Sequence, residues 1–120
     1  MTQSGYVTTH VLDTSVGRPA ENLKIDVFRL EGESRTFLRS TVTNADGRTD
    51  MPVISTDDMA EAEFELVFHA GDYLNRVHGS APGVRFLNSV PIRFGVSDAG
   101  QHYHVPLLLS PHGYSTYRGS

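Results

Sequence analysis

Two imidazoles stand two residues apart in His102-Tyr103-His104, inside a run that alternates like a β-strand over His102–Leu109. Alternation puts both rings on one face, with Tyr103, Val105 and Leu107 on the other. Three roles suit such a pair. The ring nitrogens can converge on a metal ion. One imidazole can orient or polarise the other for general-base work. The plainest option is two solvated side chains on an outer sheet face. A third imidazole, His10, lies mid-run in Tyr6–Asp13 on the less apolar face. Arg48 directly follows the Asp46-Gly47 turn, which would hold its guanidinium at a strand start. The last residues, Gly113 to Ser120, concentrate hydroxyls, an Arg and two tyrosines, Tyr114 and Tyr117. A tail made only for solubility has no need of two such rings.

Composition removes most other chemistries. The 120 residues contain no cysteine, which excludes a thiol nucleophile, an iron–sulfur cluster, a thiolate zinc site and a disulfide scaffold. Neither a phosphate-binding Gly-rich loop nor a G-x-S-x-G nucleophile elbow is present. The formal charge is −4, and the ten cations, nine of them Arg, are scattered along the chain. That balance predicts no nucleic-acid partner. The longest apolar run, Val105–Leu109, contains Pro106 and is too short to cross a bilayer, so no membrane partner is expected. The N-terminal residues lack a basic and an apolar segment, which points to a cytoplasmic protein without a secretory signal.

The elements that must carry these side chains are strands. Period-two patterns cover Tyr6–Asp13, Asn22–Leu30, Arg35–Val42, Glu61–Phe68, Val90–Val96 and His102–Leu109, with a shorter one at Gly113–Arg118. In Glu61–Phe68 the pattern points Phe64, Leu66 and Phe68 inward and leaves Glu61, Glu63 and Glu65 as solvated surface. Turn residues separate the runs at Val16-Gly17-Arg18-Pro19, Glu31-Gly32-Glu33-Ser34, Asn44-Ala45-Asp46-Gly47, Ala81-Pro82-Gly83 and Asp98-Ala99-Gly100. Pro52–Met59 reads as a polar connection. The one helical candidate is Ala70–His78, with Asp72 in its first turn and Gly79 past its end. Seven or eight short strands predict a single all-β domain over residues 1–120, a sandwich or small barrel.

Four blocks of sequence, THVLD, NADGRTD, HYHVPLLLSPHGYSTYRGS and its ending YRGS, resemble the transthyretin-related family of 5-hydroxyisourate hydrolases. The likeness runs from about Val7 to Ser120 in the family's order. It implies an eight-stranded, two-sheet β-sandwich with one short helix, assembled as a homotetramer (a dimer of dimers) with active sites where dimers meet. It implies hydrolytic opening of the cyclic amide of 5-hydroxyisourate, giving 2-oxo-4-hydroxy-4-carboxy-5-ureidoimidazoline, with neither cofactor nor metal. The residues it assigns are His10, Arg48, His104 and Ser120 for catalysis, with His10, Arg48 and Tyr117 holding substrate. Which histidine is the base stays open, as does the role of His102. The same fold also serves a transthyretin-type carrier without chemistry, although such carriers lack the His10, His104 and YRGS set, and His10, His102 and His104 could instead build the site of a metal-dependent hydrolase.

Overall fold

A computed structural model describes residues 4–120. Alternating apolar residues make eight strands: β1 (Tyr6–Asp13), β2 (Arg18–Pro19), β3 (Lys24–Glu31), β4 (Ser34–Val42), β5 (Ala62–Phe68), β6 (Val90–Val96), β7 (His102–Ser110) and β8 (Gly113–Thr116). They form two four-stranded sheets, ordered β2-β1-β7-β8 and β4-β3-β5-β6. The helix α1 (Ala70–His78) follows β5 over the predicted span. Among the described residues no helix is long and apolar enough to cross a membrane.

The core lies between the sheets, where the inward side chains of both interdigitate. Val7, Val11, Leu107 and Leu109 come from the first sheet; Ile25, Val27, Phe64, Leu66 and Phe68 come from the second, and all are fully buried. Leu74 of α1 joins the same cluster. In β1 every second residue from Val7 is buried, so Tyr6, Thr8, His10 and Leu12 stand on the outer face. In β7 the same alternation leaves His102 and His104 outside.

Four expectations need correction. The Val16–Pro19 turn contains the two-residue strand β2, because Leu12 and Asp13 offer it a partner edge. Pro52–Met59 is not simply polar: Val53 and Ile54 are fully buried, Met59 nearly so, and Ile54 bridges to Val7. Glu65 is not solvated, because Arg35 and Arg93 cover its two carboxylate oxygens at 2.8 and 2.7 Å. Asp58, in a connection read as polar and hence as solvated, is half covered and pairs with Arg39 at 2.9 Å. A bulge between Val27 and Phe28 shifts the register of β3, so that the inward positions change from odd to even and Leu30 is buried.

Asp13 closes the far end of β1. Its fully buried carboxylate accepts hydrogen bonds from Tyr73 Oη at 2.8 Å, His78 Nε2 at 2.7 Å and the Ser15 hydroxyl. Burial alone would raise its pKa, but the bonds from Ser15, His78 and Tyr73 together outweigh it and hold the carboxyl below its ordinary value. The stabilisation is therefore complete above the ordinary aspartate range and is lost as pH falls through the lowered folded value. Asp13→Asn should cost about 1–3 kcal/mol at neutral pH. Urea unfolding of both proteins should show that gap narrowing as the medium is made acid, and a gap independent of pH would contradict the argument.

Candidate active site

β1 and β7 run parallel and in register, with Tyr6 opposite His102, Thr8 opposite His104 and His10 opposite Pro106. On the outer face this sets the Thr8 hydroxyl between two imidazoles. Thr8 Oγ1 lies 2.8 Å from His102 Nε2 and 2.8 Å from His104 Nδ1. Tyr6 stacks on the His102 ring with centroids 4.3 Å apart. His10 stands one step along β1, diagonal to His104.

Arg48 arrives by a built turn. Asn44 Oδ1 accepts the backbone N–H groups of Asp46 and Arg48, and the Asn44 N–H donates to the Arg48 carbonyl at 2.7 Å. The loop is tied to β1 where Val11 N–H donates to the Gly47 carbonyl at 2.8 Å. Gly47 has φ +76°, and a Cβ there would sit 2.4 Å from the Val11 carbonyl and 3.3 Å from the His10 ring. Only glycine fits so close a left-handed turn, and the next residue, Arg48, is thereby delivered beside the imidazoles.

The chain's end returns to the same place. Gly119 N–H donates to the His104 carbonyl at 2.8 Å, and Ser120 follows at the edge of the site. The resulting cleft is about 310 Å³, half open to solvent, and lined by Tyr6, Thr8, Thr9, Arg48, Thr49, His102, His104 and Ser120. Three of the expected residues, Arg48, His104 and Ser120, meet in it, and His10 flanks it. Tyr117 does not line it. That ring is largely exposed at a second hollow of about 240 Å³ between β6 and the terminal segment, beside Phe94, Tyr103 and Arg118. A larger hollow of about 700 Å³ between β2 and α1 is lined by Arg76 and His78, which are already bonded to the Glu21 and Asn22 carbonyls and to Asp13.

His104 is the electrostatic centre of the cleft. Partial burial, then the Arg48 guanidinium and the neighbouring imidazoles of His102 and His10, hold its pKa below the ordinary histidine value of 6.5. The ring is therefore neutral at physiological pH and able to take a proton. Among the described residues no group of three or more His, Asp or Glu side chains is arranged to hold a metal ion. Sequence reading passed over Thr8 and Tyr6; the alternation places both on the His10 face, but only the pairing of β1 with β7 brings them to His102 and His104.

The pattern of the HIUase/Transthyretin family matches residues 7–119. The chain belongs to this family. The 5-hydroxyisourate hydrolase 2 of Rhizobium meliloti (strain 1021) is 58% identical to it over 120 residues, the whole of both chains. The solved structure of Klebsiella pneumoniae 5-hydroxyisourate hydrolase is 32% identical, with TM-score 0.77, over 97% of this chain and 99% of that one. A crystal structure of (S)-allantoin synthase is 39% identical, with TM-score 0.89, over 99% of this chain but 45% of the other, so this chain spans less than half of that protein. The transthyretin-like sandwich expected from the sequence is thus the fold this family member adopts.

The approach of the terminal segment to His104 supplies a test. A Cβ on residue 119 would lie 2.6 Å from His104 Cδ2, closer than any real contact. The atom in the way belongs to a movable ring, so relief costs little stability but displaces the imidazole. Gly119→Ala should lower turnover on the order of 10²-fold while the thermal unfolding midpoint hardly moves. Unchanged kinetics would show that the ring position is not critical.

Proposed function

We propose that this family member hydrolyses 5-hydroxyisourate by opening its six-membered cyclic amide ring. The observation that carries the reading is the meeting of His104, Arg48 and Ser120 in one cleft, with His10 beside it, in a chain 58% identical over its whole length to a 5-hydroxyisourate hydrolase. The substrate is planar, anionic and rich in carbonyl groups. Arg48 offers the forked donor that such an anion binds bidentately, and its charge stabilises the oxyanion formed when water adds to the ring carbonyl. A neutral His104 accepts the water proton, and the imidazoles return one to the ring nitrogen as the C–N bond breaks. His10 works with Arg48 in substrate binding and with His104 in proton transfer. Ser120 positions the ring and the water.

The assembly belongs to the same reading. The cleft is open on its outer side, and amide hydrolysis gains from a site that excludes bulk water. A homotetramer, a dimer of dimers, closes it by setting the outer face of one β2-β1-β7-β8 sheet against another. In that assembly Tyr117, remote from its own chain's cleft, serves as a substrate-binding residue. The exposure of Phe86 (77%), Tyr117 (58%) and Tyr114 (43%) on the single chain supports a covered surface.

The reaction is followed by generating 5-hydroxyisourate in place with urate oxidase and recording its ultraviolet decay in the presence of a chelator. The enzyme should accelerate that decay, and His104→Asn should lower kcat by about 10²–10⁴-fold. No acceleration by the wild type would overturn the hydrolase reading. Activity that vanished with chelation would favour a metal-dependent route instead.

The depressed pKa of His104 sets the acid limb of the pH–rate profile. Because the neutral ring is the base, kcat/KM should hold through neutral pH and fall only below the ordinary histidine range. In Arg48→Gln that limb should move to higher pH, since the guanidinium opposing protonation is gone. A shift to lower pH would contradict the assignment.

A further inference from the structure

His102 has no task in the mechanism above. It stands exposed at the mouth of the cleft, yet its Nε2 and the Nδ1 of His104 approach one oxygen, Thr8 Oγ1, at 2.8 Å each. A threonine hydroxyl has a single proton to give and lone pairs to accept with. Two arrangements of neutral rings keep the hydroxyl proton in a bond between them. In one, His104 Nδ1–H donates to Oγ1 and the hydroxyl donates to His102 Nε2. In the other, both bonds run in the opposite direction. The first arrangement leaves His104 Nε2 as a lone pair, ready to act as a base; the second places a proton there, ready to act as an acid.

We infer that Thr8 is a positioning residue coupling the two imidazoles, so that His102 holds the proton that His104 removes from water until the ring nitrogen needs it. The inference rests on the hydrolase reading. In the forward transfer, His104 Nε2 takes a proton from the attacking water. Its Nδ1 proton moves to Thr8 Oγ1 as the hydroxyl proton moves to His102 Nε2. His104 is left neutral with Nε2–H, His102 is cationic, and the hydroxyl has gained one proton and lost one. When the C–N bond breaks, His104 Nε2–H protonates the departing nitrogen as the hydroxyl returns its proton to His104 Nδ1 and takes one back from His102 Nε2, which restores the starting state.

The direction of transfer follows from the surroundings. A cation on His104 is opposed by partial burial and by the Arg48 guanidinium, whereas His102 is exposed and can be hydrated. Passing the charge outward moves it away from Arg48 while the oxyanion keeps that guanidinium for itself. The stacking of Tyr6 on the His102 ring holds its Nε2 toward the hydroxyl.

Three variants test the coupling. Thr8→Val keeps the shape and removes the hydroxyl, Thr8→Ser keeps the hydroxyl, and His102→Phe keeps a ring against Tyr6 without nitrogens. Thr8→Val and His102→Phe should each lower kcat by about tenfold or more with KM within about twofold of the wild type. Thr8→Ser should restore turnover, and the Thr8→Val/His102→Phe double variant should be no slower than the slower single one. Nitrogen-15 NMR of the resting wild type should show His104 protonated at Nδ1, a preference lost in Thr8→Val. Wild-type kcat in His102→Phe, or losses that multiply in the double variant, would overturn the inference. If the wild type fails to turn over the substrate, the hydrolase reading falls. The NMR comparison then decides the coupling alone, and identical spectra for wild type and Thr8→Val would reject it.

Discussion

The parallel ladder between β1 and β7 joins the beginning of the chain to its end, and it is the one parallel pairing among the described strands. Its register puts Thr8 opposite His104, across 96 residues of sequence. A slip by one residue would turn Val7 and Val11 out to solvent and bury the polar side chains between them, so the core enforces the pairing that builds the candidate site. Both sides of the argument meet in β1. Its inward residues pack against the second sheet, and its outward residues build the cleft.

The other parts of the site are hung on that ladder by backbone bonds. The Asn44–Arg48 turn reaches β1 at Val11, and the terminal segment reaches β7 at His104. At each junction a glycine lets two backbones approach where any side chain would collide, Gly47 beside His10 and Gly119 beside His104. These contacts decide where Arg48 and Ser120 stand without adding much to the core. At the opposite end of β1 the buried Asp13 ties the strand to α1 through Tyr73 and His78. One strand thus carries a stabilising polar cluster at one end and the candidate site at the other.

Electrostatics in the cleft keeps His104 neutral, as the proposed base must be. Partial burial withholds water from His104, and the Arg48 guanidinium beside it opposes its protonation. A neutral imidazole beside a guanidinium suits a reaction in which water loses a proton while a carbonyl oxygen becomes negative. The cost of protonating His104 in that setting is also the reason an outward path for the proton matters. The core fills the space between the two sheets, and the cleft lined by Arg48, His104 and Ser120 lies on an outer face. The proposed assembly then supplies the missing wall.

Alternation, turn residues and the helix limits were legible in the sequence, because they depend on neighbours a few positions apart. The spans of β1, β6 and α1 follow directly from that local pattern, and so does the outward placement of His10, His102 and His104. The residue types of the site were legible for the same reason, through His-x-His, the turn before Arg48 and the YRGS ending. Glu65 and Ile54 were misjudged because their burial comes from partners far along the chain, Arg35 and Arg93 in one case and Val7 in the other. Which side chains meet is a matter of long-range pairing, and pairing has no local signature. Local order was therefore written in the amino acids, whereas the union of Thr8, Arg48, His102, His104 and Ser120 in one cleft, and the separation of Tyr117 from it, were decided only when the two sheets formed.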